Sequence, residues 1–316
     1  MYKKYAVLSC NTELRDINFR NPFIRLFPQK IVRNYIINKL PLNISEIEYL
    51  DNVGLDIRLP ILEQEINDTD YVKCIIEEFN RRLLIHNINT LVIPRELDNY
   101  REDFESIVAD EKVVQFLYMD RIIKKIINLK NKELKDMNFV IIDGDNSKTR
   151  FIIDHIYEGI NSLTIVTKKP EIFEEKIEDI YKETGLAIGI TNYNVNQEIS
   201  SDIIINCNRD RDKIFYSFDE SSYIIDFVSD DDKIKNILIK RNDINIITDV
   251  DMHVNGHLMS KELFHGILLN ENRLLRSMFL YGYKTTMYDR LSKIKSKYHV
   301  RIGNIYQRGE ELQSYN

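Results

Sequence analysis

Cysteine is scarce in this chain, which has three cysteines among its 316 residues. Cys10, Cys74 and Cys207 lie far apart and form no Cys-x-x-Cys pair. The sequence therefore predicts neither a disulfide framework nor a zinc ribbon. Cys74 falls within the apolar pattern of a predicted helix, which favours a buried free thiol.

Long apolar runs and an excess of positive charge are lacking as well. The apolar run that follows the opening residues Met1 to Tyr5 is too brief for a signal peptide, and no later apolar run approaches the length of a membrane span. We therefore expect a cytoplasmic protein without a membrane partner. The 44 basic and 50 acidic residues give a net charge of -6, which repels a phosphate backbone and argues against nucleic acid as a partner.

Several catalytic motifs are also missing: Gly-x-Ser-x-Gly, the Walker loop and His-Glu-x-x-His. One local cluster of potential metal ligands is present, formed by Asp249, Asp251, His253, His257 and His265. A metal site needs three or four ligands in a fixed geometry, and the intervening Asn255-Gly256 predicts a turn. We therefore expect surface or turn histidines and no metal, with a zinc or iron site as the alternative.

The pattern of apolar residues indicates two α/β domains, as the length also favours. Residues 1–110 contain two predicted strands, Tyr5–Ser9 and Thr90–Ile93, and a helix over 70–87. A long helix over 111–129 is predicted to link the domains. Residues 281–316 are expected to form a C-terminal helix that packs back on the first domain.

Strands and helices alternate over residues 111–280, which predicts βαβ units and a mostly parallel sheet flanked by helices. Helices are predicted from Ser147 to Tyr157 and between Pro170 and Gly185. The predicted strands are Phe139–Ile142, Leu163–Val166, Asp202–Ile205, Tyr223–Phe227 and Ile244–Ile247. The expected fold class is thus α/β, with a smaller N-terminal α/β domain and a Rossmann-like domain.

The turn after the first of these strands, Asp143 to Thr149, is where a doubly wound sheet would hold a pyrophosphate on a helix N-terminus. Its spacing to the next strand, which ends Val166-Thr167-Lys168-Lys169-Pro170, resembles that of shikimate dehydrogenases. That family shows a Gly-Ala-Gly-Gly-Ala loop and a strand ending in Asn-Arg-Thr-Pro. The first, third and fourth loop positions fall here on Asp143, Asp145 and Asn146.

Two later segments extend the resemblance, so that it covers roughly residues 111–280 in one order. The strand ending Ile205-Asn206-Cys207-Asn208 is similar to the family's Ile-Asn-Ala-Thr segment. Asp249 to Val254 resembles the Gly-x-Gly-Met-Leu segment, with Met252 on the methionine that lines the nicotinamide pocket.

The resemblance implies a set of cofactor-binding residues. Lys168 matches the arginine that contacts the 2′-phosphate in the family, so a surviving site would favour NADP over NAD. A solvated turn is the alternative interpretation of the lysine pair. The expected cofactor-binding residues are Gly144, Asn146, Ser147, Lys148, Thr167, Lys168, Asn206 and Met252.

Two departures from the family weaken the expectation of redox catalysis. Asp143 and Asp145 replace glycines, and like charges about 4 Å apart repel by roughly 4 kcal/mol at an effective dielectric constant of about 20. The family's catalytic lysine falls on Glu96, and a carboxylate cannot act as a cationic proton donor. No catalytic residue is assigned.

Three functional hypotheses follow. The leading one is a shikimate-dehydrogenase-like protein whose nucleotide site has diverged and which binds a small metabolite or a protein partner without redox turnover. The alternative is an active NADP-dependent oxidoreductase on a small hydroxy or keto acid, in which Lys148 and Lys168 balance Asp145. A structural or assembly protein that kept only the fold is the third, and homo-oligomerisation stays open.

Overall fold

The computed structural model of the chain describes residues 4–86, 88–144, 146–192, 199–208 and 218–313. Internal contacts divide it into two compact units. The first comprises Met1–Val114 and Ser260–Leu275, and the second comprises Gln115–Met259 and Arg276–Asn316. Within the described residues, no helix is long and apolar enough to cross a membrane.

The strands alternate with the helices along most of the chain. The strands are β1 (Lys4–Asn11), β2 (Asn43–Tyr49), β3 (Asn52–Leu62), β4 (Ile88–Val92), β5 (Ile107–Val108), β6 (Asn138–Ile142), β7 (Ser162–Val166), β8 (Ile188–Thr191), β9 (Ile203–Asn206), β10 (Tyr223–Asp226), β11 (Asn245–Ile247), β12 (Asp249–Val254), β13 (His257–Leu258), β14 (Val300–Gln307) and β15 (Glu310–Glu311). The helices are α1 (Gln29–Lys39), α2 (Thr69–His86), α3 (Glu111–Leu117), α4 (Met119–Lys130), α5 (Asn146–Ile156), α6 (Glu174–Thr184), α7 (Asp231–Lys240), α8 (Lys261–Glu271), α9 (Arg273–Tyr281) and α10 (Tyr288–Lys297).

The first unit contains a five-stranded sheet in the order β2-β3-β1-β4-β5, in which only the β2–β3 pair is antiparallel. The predicted apolar face of α2 is buried in its core, whereas Cys74 is exposed because it lies off that face. Sequence reasoning missed the β2–β3 hairpin. Its two-residue turn consists of Leu50 and Asp51, both with positive φ. The sequence Leu-Asp does not predict such a turn, which is usually signalled by Asn-Gly or Gly-Gly.

The helix predicted over 111–129 is in fact two helices, α3 and α4, so the prediction of one continuous helix is wrong. Tyr118 separates them with a non-helical backbone (φ -107°, ψ 26°). The boundary between the two units falls at residues 114 and 115, within α3.

The second unit contains a six-stranded parallel sheet in the order β11-β10-β9-β6-β7-β8. Counted from β6, this is the 3-2-1-4-5-6 order of dinucleotide-binding α/β folds, so the predicted Rossmann-like fold class is confirmed. The central strands β9 and β10 are buried at every residue, as continuous apolar runs in parallel sheets are.

A second, antiparallel sheet in this unit was not predicted, and its order is β13-β12-β14-β15. The C-terminal segment supplies β14, which pairs with β12. The structure therefore differs from the expected division of the chain. Ser260–Leu275 groups with the first unit, whereas the tail after it groups with the second, because β14 completes the sheet of β12.

Candidate functional site

The crevice at the reversal of strand order is the candidate site. From β6 the chain adds β7 and β8 on one side and then returns to place β9 on the other side. The connections that leave the carboxyl ends of β6 and β9 therefore run in opposite directions, and such a switch point is where open α/β sheets bind ligands. Asp143 and Gly144 follow β6 here, and Cys207 and Asn208 follow β9.

The Asp143 carboxylate is turned into the protein. It is buried, and its two oxygens accept hydrogen bonds from the hydroxyls of Thr149 at 2.7 Å and Thr167 at 2.8 Å. Thr167 Oγ1 also accepts from the backbone N–H of Lys169 at 3.0 Å. The Asp143 carboxylate is therefore hydrogen-bonded within the protein, and its bond to Thr167 fixes the position of the Thr167 side chain.

Gly144 lies directly against the chain that leaves β9. A Cβ atom at this position would fall 2.5 Å from the Asn208 Cα and closer still to the carbonyl oxygen of Cys207. The Asn208 side chain donates to the Asp143 carbonyl at 2.8 Å, and the Asn208 N–H donates to Asn206 Oδ1 at 3.0 Å. The floor of the crevice is therefore closed by contacts between the two turns themselves.

The first turn of α5 is covered by a segment from the C-terminal part of the chain. Ser147 Oγ accepts from the Tyr283 N–H at 2.5 Å and donates to the Tyr283 carbonyl at 3.3 Å. Gly282 adopts φ +82°, and a Cβ there would lie 2.9 Å from Ser147 Oγ. The backbone of residues 282 and 283 therefore sits on the first turn of the helix whose N-terminus would receive a pyrophosphate.

Tyr283 is anchored further along α5. Its hydroxyl donates to Asp154 at 2.7 Å, and Asp154 forms an ion pair with Lys176 at 2.5 Å. Its ring contacts Phe151 edge-on, with 5.0 Å between the ring centroids. Burial and the bond to Asp154 raise the pKa of Tyr283. Sequence reasoning missed Tyr283, and no motif marks it, because Ser147 and Tyr283 are 136 residues apart.

Asn206 belongs to a buried polar row at the ends of β9 and β10. Its amide donates to Asp226 at 2.9 Å. Asp226 also accepts from the N–H groups of Val228 and Ser229 and from the Ser229 hydroxyl, at 2.7 to 2.8 Å. These bonds satisfy both carboxylate oxygens and hold the turn that leads to α7.

The other expected cofactor residues are more dispersed. Lys168 is exposed just after β7, Lys148 is half-buried in the first turn of α5, and Asn146 begins that helix. Asp145 lies outside the described residues. Met252 is buried in β12 and belongs to the antiparallel sheet, so it is not part of the edge that carries Gly144, Ser147, Thr167 and Asn206.

The expected histidine cluster is divided between the units. His253 and His257 lie in β12 and β13 of the second unit, and His265 lies in α8 of the first. His265 Nδ1 accepts from the Asp110 N–H at 2.8 Å. Within the ranges that the structure describes, no group of three or more His, Cys, Asp or Glu side chains is arranged to hold a metal ion.

Comparison by sequence finds neither a matching family model nor a matching curated protein. Comparison by structure finds shikimate dehydrogenase 1 from Peptoclostridium difficile, at 11% identity and a TM-score of 0.33, over 93% of this chain and 97% of that one. Shikimate 5-dehydrogenase from Listeria monocytogenes, solved with shikimate and NAD, matches at 8% identity and a TM-score of 0.33, over 94% and 96% of the two chains.

L-tryptophan dehydrogenase from Nostoc punctiforme matches at 10% identity and a TM-score of 0.35, over 93% of this chain and 80% of that one. Two of these three solved structures are shikimate dehydrogenases. The fold of the second unit is assigned from the strand order of its parallel sheet.

Proposed function

We propose that this chain is a Rossmann-like protein whose nucleotide site has diverged, and that it binds a small metabolite or a protein partner without redox turnover. The observation that carries this proposal is the position of residues 282 and 283, whose backbone is hydrogen-bonded to Ser147 in the first turn of α5.

The hydrogen bonds of this segment oppose dinucleotide binding. A pyrophosphate binds by close approach to the N–H groups and positive dipole end of a helix. Here that approach would displace Tyr283 and break its bonds to Ser147 and to the Asp154 carboxylate. A hydrogen bond between neutral groups and one to a carboxylate together contribute roughly 3 kcal/mol. Breaking both would lower the affinity for the dinucleotide by about two orders of magnitude.

The second candidate is an NADP-dependent oxidoreductase acting on a small hydroxy or keto acid. It is favoured by Lys168, which is exposed two residues after β7. In this region of dinucleotide-binding folds an acidic residue binds the ribose 2′-hydroxyl of NAD, or a basic residue binds the 2′-phosphate of NADP. Its phosphates would need the first turn of α5, so this candidate requires residues 282 and 283 to move.

Titration of the purified protein with NADPH, followed by nicotinamide fluorescence, tests the proposal. We expect no saturable binding at micromolar concentrations. Two variants locate any binding that occurs: Lys168→Glu reverses the charge at the expected 2′-phosphate position, and Lys169→Glu makes the same change at the adjacent exposed lysine. Micromolar binding that is lost in Lys168→Glu and retained in Lys169→Glu would contradict the proposal and support the second candidate.

The covering segment can be tested separately with Ser147→Ala, which removes both hydrogen bonds to the Tyr283 backbone. We expect faster amide hydrogen exchange in peptides that contain residues 282–287. Ser296→Ala is the control, since its hydroxyl bonds only locally, to the Lys293 carbonyl. If the variant instead leaves exchange at residue 283 unchanged, Ser147 does not hold the segment.

A further inference from the structure

A cavity of about 600 Å³ lies within the second unit, between α4, α5, α10 and the start of β14. Its lining begins at Tyr118 and includes side chains from four elements, among them Arg121, His155, Lys295 and Arg301. The expected cofactor-binding residues are not among the described residues that line it. A volume of several hundred cubic ångströms is that of a site for a small molecule.

The cavity is positively charged in a protein that is negatively charged overall. Three cationic side chains line it, Arg121, Lys295 and Arg301, against one acidic side chain, Asp120. With neutral histidines the lining therefore carries a net charge of +2, whereas the whole chain carries -6. A concave surface lined by one sign of charge concentrates its field and attracts ions of the opposite sign.

Asp120 is shared between two cations and cannot neutralise the cavity. Its Oδ1 accepts from Lys295 Nζ at 2.7 Å, and its Oδ2 lies 3.4 Å from Arg121 Nε. The Lys295 side chain is only 13% exposed, its Nζ lies 5.8 Å from the Tyr118 ring centroid, and burial lowers its pKa. An anion in the cavity would therefore stabilise a cation that has lost most of its hydration.

Aromatic rings form much of the remaining wall. Tyr118, Tyr288 and Tyr298 line the cavity, and the His155 ring contacts Tyr288 edge-on at 4.9 Å between centroids. Burial lowers the pKa of His155 to about 4, so this histidine is uncharged at neutral pH. Such rings pack against a flat or apolar ligand body, which distinguishes the site from one for a bare inorganic ion.

We propose that this cavity binds a small organic anion, whose carboxylate or phosphate group is held by Arg121 and Arg301 and whose body packs against the tyrosines. Guanidinium groups suit this role because they donate two parallel hydrogen bonds to carboxylates and phosphates. This inference rests on the proposed function in so far as it names the class and the place of the bound metabolite.

The test uses two organic anions, phenyl phosphate and benzoate, and compares them with inorganic phosphate, which has no aromatic group. Histidine ring signals are followed by NMR in the whole 316-residue chain, where His155 and His299 line the cavity and His253 and His265 do not. The signals are assigned with His155→Phe and His299→Gln. We expect saturable shifts of the two cavity signals, and at least tenfold weaker binding of inorganic phosphate.

A pair of double variants separates the cavity from general charge attraction. Arg121→Gln with Arg301→Gln removes two cavity cations that are both largely exposed, and it should weaken binding of phenyl phosphate at least tenfold. Arg290→Gln with Lys293→Gln removes the same charge from exposed positions of α10 outside the lining and should leave binding unchanged. Equal weakening in both pairs would overturn the proposal, as would the absence of saturable shifts up to about 10 mM, a weaker affinity than specific sites show.

Adding NADPH to the same samples keeps the two proposals apart. If NADPH binds through Lys168 while phenyl phosphate still shifts the His155 and His299 signals, the proposed function fails and the cavity site stands. If neither organic anion shifts those signals, the cavity site fails whatever NADPH does.

Discussion

Two adjacent residues, Asp143 and Gly144, determine how the turn after β6 is built. The Asp143 carboxylate faces inward to two threonine hydroxyls, and Gly144 allows the chain after β9 to approach its backbone. In a nucleotide-binding loop, glycine allows the backbone to approach a phosphate. Here the close approach is made by another part of the same chain.

Gly144→Ala should destabilise the protein, because the added methyl group would overlap the backbone at Cys207 and Asn208. Overpacking of this kind costs about 1–3 kcal/mol in the free energy of unfolding, which urea denaturation measures. Gly189→Ala in β8 is the control, since its new Cβ would have no neighbour nearer than 3.4 Å. Equal stability of the two variants would show that the turn can move aside.

The buried histidines should make stability depend on pH. Burial lowers the pKa of His155 and of His265 to about 4 from 6.5. Between these values the unfolded chain binds protons more readily than the folded protein, so stability rises with pH over this window and levels off above it.

His155→Phe retains the stacking on Phe151 and removes the titrating group. We expect the loss of unfolding free energy between pH 7.5 and pH 4.5 to be about 2 kcal/mol smaller in the variant than in the unaltered protein. Urea denaturation across this range measures the difference. Parallel curves for the two proteins would mean that His155 is protonated as readily in the folded state as in the unfolded one.

At the scale of elements, the hairpin of β12 and β13 follows directly from its turn residues. Asn255 and Gly256 adopt φ values of 51° and 89°, the two successive positive angles of a type I′ turn. The turn brings His253 opposite Leu258, and β12 then pairs on its other side with β14. A local signal thus builds one edge of a sheet whose other strands come from the C-terminal region.

Gly256→Ala should reduce the free energy of unfolding by about 1 kcal/mol, because an alanine at positive φ brings its Cβ too close to the backbone carbonyl oxygen. Apart from the residue itself and its two neighbours in the chain, no atom lies within 4 Å of the position that its Cβ would take, so the effect comes from the local backbone alone. Gly189→Ala in β8, where φ is not positive, is the control and should be close to neutral in the same urea titration. A stable Gly256→Ala variant would imply that the turn changes type.

At the scale of the whole molecule, each unit is made from two separate stretches of the chain. The first unit takes α8 from residues beyond the second unit's parallel sheet, and buried side chains of α8 include Phe264, Ile267 and Leu268. Burial of each such side chain contributes about 1.5–3 kcal/mol. Without α8, the first unit loses an amount comparable to the stability of a typical domain.

Residues 1–114 alone should therefore fail to fold, whereas residues 1–114 joined to 260–275 by a short Gly/Ser linker should fold. The linker is feasible because Lys261 Nζ lies 3.3 Å from Glu111 Oε2. Circular dichroism and a cooperative urea transition measure the outcome. The same fusion with Phe264→Asp and Leu268→Asp is the control, and a cooperative transition for residues 1–114 alone would show that α8 is dispensable.

The candidate site combines residues that the sequence pattern places and residues that it does not. The sequence places Gly144 and Ser147 in the turn after a buried strand and Thr167 directly after the next strand, because such turns lie at a known edge of a parallel sheet. Cofactor binding by these residues stays a prediction. Tyr283, which covers the same helix, could not be located, because a bond between a side chain and a distant backbone group leaves no periodic pattern. No sequence pattern marks the cavity at Lys295 either, because its lining residues come from four separate elements.

The pattern of residues along the chain predicts five of the six strands of the parallel sheet and most of its helices, whereas it does not predict β8. Short runs of β-branched residues bounded by turns favour strands buried on both faces of a parallel sheet, and the cap at Gly185 and the turn at Asn255-Gly256 depend on backbone angles that few residues adopt. The unit that each distant segment joins, and the residues that lie against the first turn of α5, become apparent only in the folded protein. Those outcomes depend on packing between residues far apart in the chain, which local periodicity does not encode.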